Sequence, residues 1–166
     1  MLAGVFIMTV FATVWAIAAQ LGAGLTNLTL AAPVLISAGL LVWAVPILRR
    51  SPVKVIPNSR RTVALWSSIE VILIVVAIKL LGSSGHNDAI MPVIAIIVGA
   101  HFLPLARGLS VRSYYWTGGA IMAMGVLAFI LTGSARVEVT GWVTAVILWV
   151  SAVAVAFRAK RLRPTA

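Results

Sequence analysis

The sequence predicts an all-α integral membrane protein, a bundle of six helices with its N- and C-termini cytoplasmic. Composition, run length and charge placement all predict this fold. Apolar residues make up 62% of the 166 residues and charged residues 10%, whereas soluble domains have about 45–50% and about 25%. A water-soluble fold of this length could not bury so much apolar surface, because its own exterior needs polar groups. Lipid is therefore the predicted solvent for most of the chain.

The apolar residues fall into six runs that form one transmembrane domain over residues 1–166. Each run is close to the roughly 20 residues that cross a bilayer as a helix. The first run has no basic segment before it and is too long for a typical signal peptide, so we expect it to be retained. The predicted spans cover about 2–23, 28–48, 62–81, 89–106, 114–132 and 139–157.

Local signals mark the ends of these spans. An uncharged turn at 22–27 joins the first two spans, and a loop at 133–138 precedes the sixth. Pro33 and Pro92 fall in the first turns of the second and fourth spans, where a missing amide matters least. The aromatic residues 114–116 open the fifth span at the depth where such rings anchor helices to the interface.

Small residues recur four positions apart within the spans. This spacing lets helix backbones approach closely in lipid, although alanine-rich helices also produce it by chance. In either case it favours a tight bundle. The pairs are Ala12 and Ala16, Ala19 and Ala23, Ala95 and Gly99, Gly119 and Ala123, Gly141 and Ala145, and Ala152 and Ala156.

The basic residues predict the orientation. The connections 49–61 and 107–112 and the tail 158–163 hold five, two and four basic residues, eleven of the thirteen in the chain. Only Lys79 and Arg136 fall on the other side. Because Lys and Arg are retained on the cytoplasmic side, both termini are predicted to be cytoplasmic.

Charge and cysteine content exclude several classes of function. Membrane orientation already explains the net charge of +10, and no aromatic and basic groove pattern accompanies it, so no nucleic-acid partner is expected. The chain has no cysteine, which excludes disulfides, Cys-ligated metal sites and thiol catalysis.

Glu70 is the one acidic residue inside an apolar run. It lies roughly 12 Å along its helix from the basic end, and a carboxylate at such depth costs at least about 2.5 kcal/mol. Intramembrane ionisable residues are by default candidates for a functional site. Ser67 shares the face of Glu70 at a spacing of three, whereas Lys79 is about half a turn out of phase and cannot pair with it.

His101 is the natural partner of Glu70. It lies on the next, antiparallel span at a comparable depth, roughly 8 Å from the cytoplasmic end. Pro104 cannot donate an amide to the carbonyl of Ala100, so it predicts a helix break beside His101 and a polar pocket there. The same cavity is predicted to be lined by Trp66, Gln20 and Trp43.

The segment Gly99-Ala100-His101-Phe102-Leu103-Pro104-Leu105-Ala106, followed by Tyr114-Tyr115 and Gly118, resembles a motif of uncharacterised small bacterial inner-membrane proteins. The resemblance implies a bacterial cytoplasmic membrane and singles out His101 and Pro104 as a unit. It implies no activity.

Three functions are compatible with these residues. The leading hypothesis is a protein that binds or transports a small ligand or proton through Glu70, His101 and Ser67, with His101 tuning the protonation of Glu70. The alternative is a non-catalytic membrane scaffold or accessory subunit in which Glu70 and His101 only lock two helices together. An integral membrane enzyme comes third, because no catalytic set is recognisable.

The predicted partners are the lipid bilayer and a small-molecule or lipid ligand, and association into a homo-oligomer is left open. Metal-ligand spacings such as H-x-x-x-H are absent from the sequence, so neither a metal nor another cofactor is expected.

Overall fold

The computed structural model describes residues 2–24, 28–49 and 59–161. Six α-helices lie within these ranges, and short 3-10 turns precede the fourth and follow the fifth. Each helix, with its adjoining turn, is long and apolar enough to cross a bilayer. The predicted all-α six-helix membrane fold is thus confirmed. The helices are α1 (Leu2–Gly22), α2 (Leu28–Arg49), α3 (Ser59–Ser83), α4 (Ile90–Gly108), α5 (Ser113–Leu127) and α6 (Gly133–Arg161).

Helix α6 begins earlier than predicted. The loop expected at 133–138 is the first part of the helix, which starts at Gly133. Arg136 explains the difference, because its Nη1 donates to Asp88 Oδ2 at 2.6 Å and its Nε donates to the carbonyl of Leu131 at 2.8 Å. These bonds hold the first turn of α6 against the turn before α4, so a polar stretch that reads as a loop is helical.

Helix α6 is central to the bundle and contacts α1, α2, α4 and α5. It packs antiparallel to α1, since Gly22 lies beside Val137 while Ala19 lies beside Gly141. A methyl group on Gly141 would lie 2.6 Å from the Cβ of Ala19. Only a residue without a side chain fits there, which explains the close approach of the two backbones.

Helices α4 and α5 make a second close pair. A Cβ on Gly118 would lie 2.5 Å from the carbonyl oxygen of Gly99, and one on Gly125 would lie 2.8 Å from the carbonyl of Pro92. The predicted pair on α5 is wrong: Gly119 has no atom within 4 Å of its Cβ position, and Ala123 is exposed. In lipid, close packing rather than apolarity decides which small residues face a neighbour.

A buried polar cluster fastens α2 to α1 and α6. The Ser37 and Thr13 hydroxyls are 2.6 Å apart, and the indole Nε1 of Trp149 donates to Ser37 Oγ at 2.9 Å. Polar bonds of this kind contribute about 0.6 kcal/mol each on average inside a membrane. The cluster therefore stabilises the contact of α2 with two helices at once.

Helix α3 lies at the edge of the bundle, with α4 as its principal neighbour. Only Glu70 and Ala77 are buried among its side chains. At one end of the pair, a Cβ on Gly108 of α4 would lie 2.6 Å from the methyl of Thr62. The two helices are thus in close contact at the end that carries Arg61 and Arg107, which is called the basic end below.

The glycine contact between α4 and α5 can be tested with adjacent residues. We expect Gly118→Ala to lower the free energy of unfolding by about 1–3 kcal/mol, the usual cost of overpacking, because the new methyl meets the carbonyl of Gly99. Gly119→Ala has open space around it and serves as the matched control, with no loss expected. Thermal loss of helicity in detergent, followed by circular dichroism, measures both. Equal losses in the two variants would contradict this packing.

The orientation can be tested because the chain contains no cysteine. Ser84→Cys introduces a thiol in the exposed turn after α3, and Thr165→Cys introduces one in the tail, outside the described residues. We expect a membrane-impermeant maleimide to label Ser84→Cys in intact cells and Thr165→Cys only after permeabilisation. The reverse pattern would show that the C-terminal tail is not cytoplasmic and would contradict the predicted orientation.

Candidate intramembrane site

Helical phase brings Glu70 to the face of α3 that packs on α4. Glu70, Ile74 and Ala77 are spaced four and three residues apart and so lie on one face. Ala77 is buried, Ile74 packs against the core, and the Glu70 side chain is only 10% exposed. Glu70 is eleven residues from Ser59, so it lies about 16 Å along the helix, in its middle part.

His101 reaches Glu70 from α4. Its Nδ1 is 3.6 Å from Oε2 of Glu70 and 3.2 Å from the backbone carbonyl of Trp66. A carbonyl oxygen only accepts hydrogen bonds, so Nδ1 must carry the hydrogen, and Nε2 of the neutral ring is then an acceptor. His101 thereby ties α3 to α4 and leaves acceptor groups on both residues of the pair.

The two residues line a cleft between α3 and α4. Its volume is about 210 Å³, and both of its walls come from these two helices alone. Ile69 and Leu73, on the α3 side, are 36% and 48% exposed. The cleft therefore opens on the side of the bundle, which faces lipid in a membrane. The lining residues are Trp66, Ile69, Glu70, Leu73, Ile96, Ile97, Ala100 and His101.

Three of the predicted site residues do not line this cleft. Ser67 is half-buried on α3 and is not among the residues that line the cleft. Gln20 is buried on α1, and Trp43 on α2 packs its ring against Phe157 with centroids 5.1 Å apart. Because α3 packs on α4 at the edge of the bundle, side chains of α1 and α2 do not reach the cleft. Trp66 lines it.

The apolar lining was not predicted, although the sequence contains a signal for it. Ile69 and Leu73 are one residue before and three residues after Glu70, while Ile97 and Ala100 are four and one before His101. Neighbours at these spacings share or border the face of the polar residue. In spans that are apolar on every face, this spacing identifies the lining residues only when the polar residue is already known to face a cavity.

The helix break predicted at Pro104 is wrong. Pro104 lies inside α4, which continues to Gly108. The end of the helix is closed by bonds from the amides of Leu109 and Val111 to carbonyls of the last turns, at 2.9 and 3.0 Å. Loss of one amide is compatible with a continuous helix in such a setting. What Pro104 does is deprive the carbonyl of Ala100, a cleft residue, of its helical donor.

The carboxyl group of Glu70 has unused capacity to accept hydrogen bonds. His101 Nδ1 pairs with it across the two helices, and the 3.6 Å between Nδ1 and Oε2 is longer than a hydrogen bond. A bare carboxylate at this depth costs at least about 2.5 kcal/mol, so the group suits a proton, a cation or a hydrogen-bond donor. Within the described ranges no three His, Cys, Asp or Glu side chains come together as metal ligands.

Comparison with known proteins gives no guide to this site. No protein-family model, curated protein or solved structure matches the chain.

Replacing His101 tests its role in holding α3. His101→Leu removes the bond to the Trp66 carbonyl, and we expect it to lower the free energy of unfolding by about 0.6–1.7 kcal/mol, from the average to the maximum measured for polar contacts between membrane helices. His86→Leu is the control, since His86 lies in an exposed turn and contacts only Ser84 through its ring. Thermal unfolding in detergent compares the two. An unchanged His101→Leu variant would show that the contact does not stabilise α3.

Proposed function

We propose that this polytopic membrane protein binds a proton or a small ligand at the site formed by Glu70 and His101. One observation carries the proposal: an intramembrane carboxyl group lines a cleft and accepts no hydrogen bond from the described residues. An ionisable side chain at this depth is energetically costly, and such side chains usually mark a functional site. Transport of the bound species across the membrane is the further step of the same proposal.

His101 gives the site a second titratable group. When His101 is protonated, its charge lies 3.6 Å from the Glu70 oxygen and favours the carboxylate. When His101 is neutral, a proton or a cationic ligand neutralises the negative charge of Glu70 instead. The pair therefore couples binding at Glu70 to the proton on the neighbouring ring.

The alternative function is a non-catalytic membrane scaffold or accessory subunit. The hydrogen bond between His101 Nδ1 and the Trp66 carbonyl favours it, because this bond fastens α3 to α4 without any ligand. In that case Glu70 only packs in the contact between α3 and α4. Its replacement then changes the stability of the protein and has no effect on ligand binding.

The third function, an integral membrane enzyme, has the weakest support. Among the described residues, Glu70 and His101 are the only titratable side chains that line the cleft, and no described serine, threonine or lysine joins them there. Nucleophilic catalysis needs a nucleophile within hydrogen-bond reach of its base. The described residues of the cleft supply no hydroxyl, thiol or amine nucleophile.

We further propose the inner membrane of a bacterium as the location. The six apolar helices make the chain a multi-pass membrane protein. The resemblance of residues 99–106 to a segment of bacterial inner-membrane proteins supports the finer assignment.

Infrared difference spectroscopy of the protein in lipid bilayers tests proton binding. After a pH step, we expect a carboxylic acid C=O band at a higher frequency than that of a water-exposed acid, because Glu70 lies among apolar groups. The band should vanish in Glu70→Gln and persist in Glu138→Gln, whose carboxyl belongs to the first turns of α6. A spectrum without any band that depends on Glu70 at any pH would favour the scaffold.

A further inference from the structure

We propose that the ligand of this site is a membrane-dissolved amine with an apolar body, and that it enters sideways from the lipid between α3 and α4. The inference rests on the proposed function and names the chemical class of the ligand and its route.

The polar groups of the cleft are acceptors. With the hydrogen of His101 on Nδ1, the residues that line the cleft carry acceptors: the Glu70 oxygens, Nε2 of the His101 ring and the carbonyl of Ala100, whose helical donor is missing. An ammonium head supplies a positive charge and at least one N–H donor, so it neutralises the carboxylate and donates to one of these acceptors. A phosphate or carboxylate head would be repelled by Glu70.

The walls of the cleft match an apolar body. The side chains on either side of the polar pair are Ile69, Leu73, Ile96 and Ile97. A volume of about 210 Å³ corresponds to roughly seven water molecules, at about 30 Å³ each. It therefore holds the head and the first carbons of a ligand, and the rest of the ligand stays in the surrounding lipid.

The route from the lipid is open, and the route from the basic end is blocked. Leu73, on the α3 wall of the cleft, is 48% exposed on the side of the bundle. Towards the basic end, the methyl of Thr62 lies against Gly108 and closes the seam between the two helices. A molecule that comes from the bilayer thus reaches Glu70 with less rearrangement than one that comes from the water at that end.

Carbodiimide labelling in phospholipid nanodiscs tests the route. A protonated carboxyl adds its O–H across the C=N bond of a carbodiimide, and the adduct rearranges to an N-acylurea without a leaving group. We expect apolar dicyclohexylcarbodiimide to modify Glu70 of the full chain, and a carbodiimide with a quaternary ammonium to leave it unmodified. Mass spectrometry of the peptide that contains Glu70 measures both, with Glu70→Gln as the blank.

Adjacent residues supply a matched pair of variants for the entrance. Leu73→Trp places a larger ring at the opening of the cleft, and we expect it to slow labelling by dicyclohexylcarbodiimide several-fold. Ile72→Trp adds the same ring at a position that is 61% exposed and outside the cleft, so no change is expected. Equal rates in the two variants would overturn entry beside Leu73.

Protection by amphiphiles tests the ligand class. We expect N,N-dimethyltetradecylamine to slow labelling of Glu70 several-fold, while trimethylamine and tetradecyl sulfate leave the rate unchanged. Equal protection by the sulfate, or none by the long-chain amine, would overturn the assignment to an apolar amine. Faster modification by the charged carbodiimide than by the apolar one would overturn entry from lipid. In either case the infrared band of Glu70 separately decides whether the site binds a proton.

Discussion

A carboxyl group inside a bilayer must be neutral or partnered, and this constraint governs how α3 is placed. Glu70 belongs to a helix in which Ala77 is the only other buried residue and most side chains are exposed on the bundle surface. Turning it towards lipid as a carboxylate costs at least about 2.5 kcal/mol, whereas turning it towards α4 brings it beside His101. The rotation of α3 about its axis is therefore decided by one residue, and Ala77 is buried because it lies on the same face.

Helix α4 connects this edge to the rest of the bundle through two opposite faces. Gly99 faces α5 at a contact that admits no side chain, and His101 faces α3. Two residues along a helix correspond to about 200°, so the two contacts lie on nearly opposite sides of α4. The pairs of α4 with α5 and of α1 with α6 are the most closely packed part of the molecule. The edge helix α3 is held by fewer contacts, which is where a site that opens to lipid can exist.

The six-helix fold could be predicted from the sequence, because the length of each apolar run depends only on local composition. Glu70 and His101 were also predicted as partners, since depth along adjacent antiparallel helices follows from counting residues. The arrangement of helices around the bundle could not be predicted, because spans that are apolar all round do not reveal which face packs. For that reason Gln20 and Trp43 were wrongly assigned to the cavity, and Gly119 was chosen where Gly118 makes the contact. The early start of α6 depends on the bond between Arg136 and Asp88, which lie 48 residues apart.

The most direct test of this account is an experimental density map of the full chain in a lipid nanodisc. We expect α3 and α4 to flank a cleft at Glu70. We also expect density for an elongated non-protein molecule that enters between Leu73 and Ile97 and ends within hydrogen-bond distance of the carboxyl. A map in which α3 is rotated so that Glu70 contacts another helix, with no opening to lipid beside His101, would contradict it.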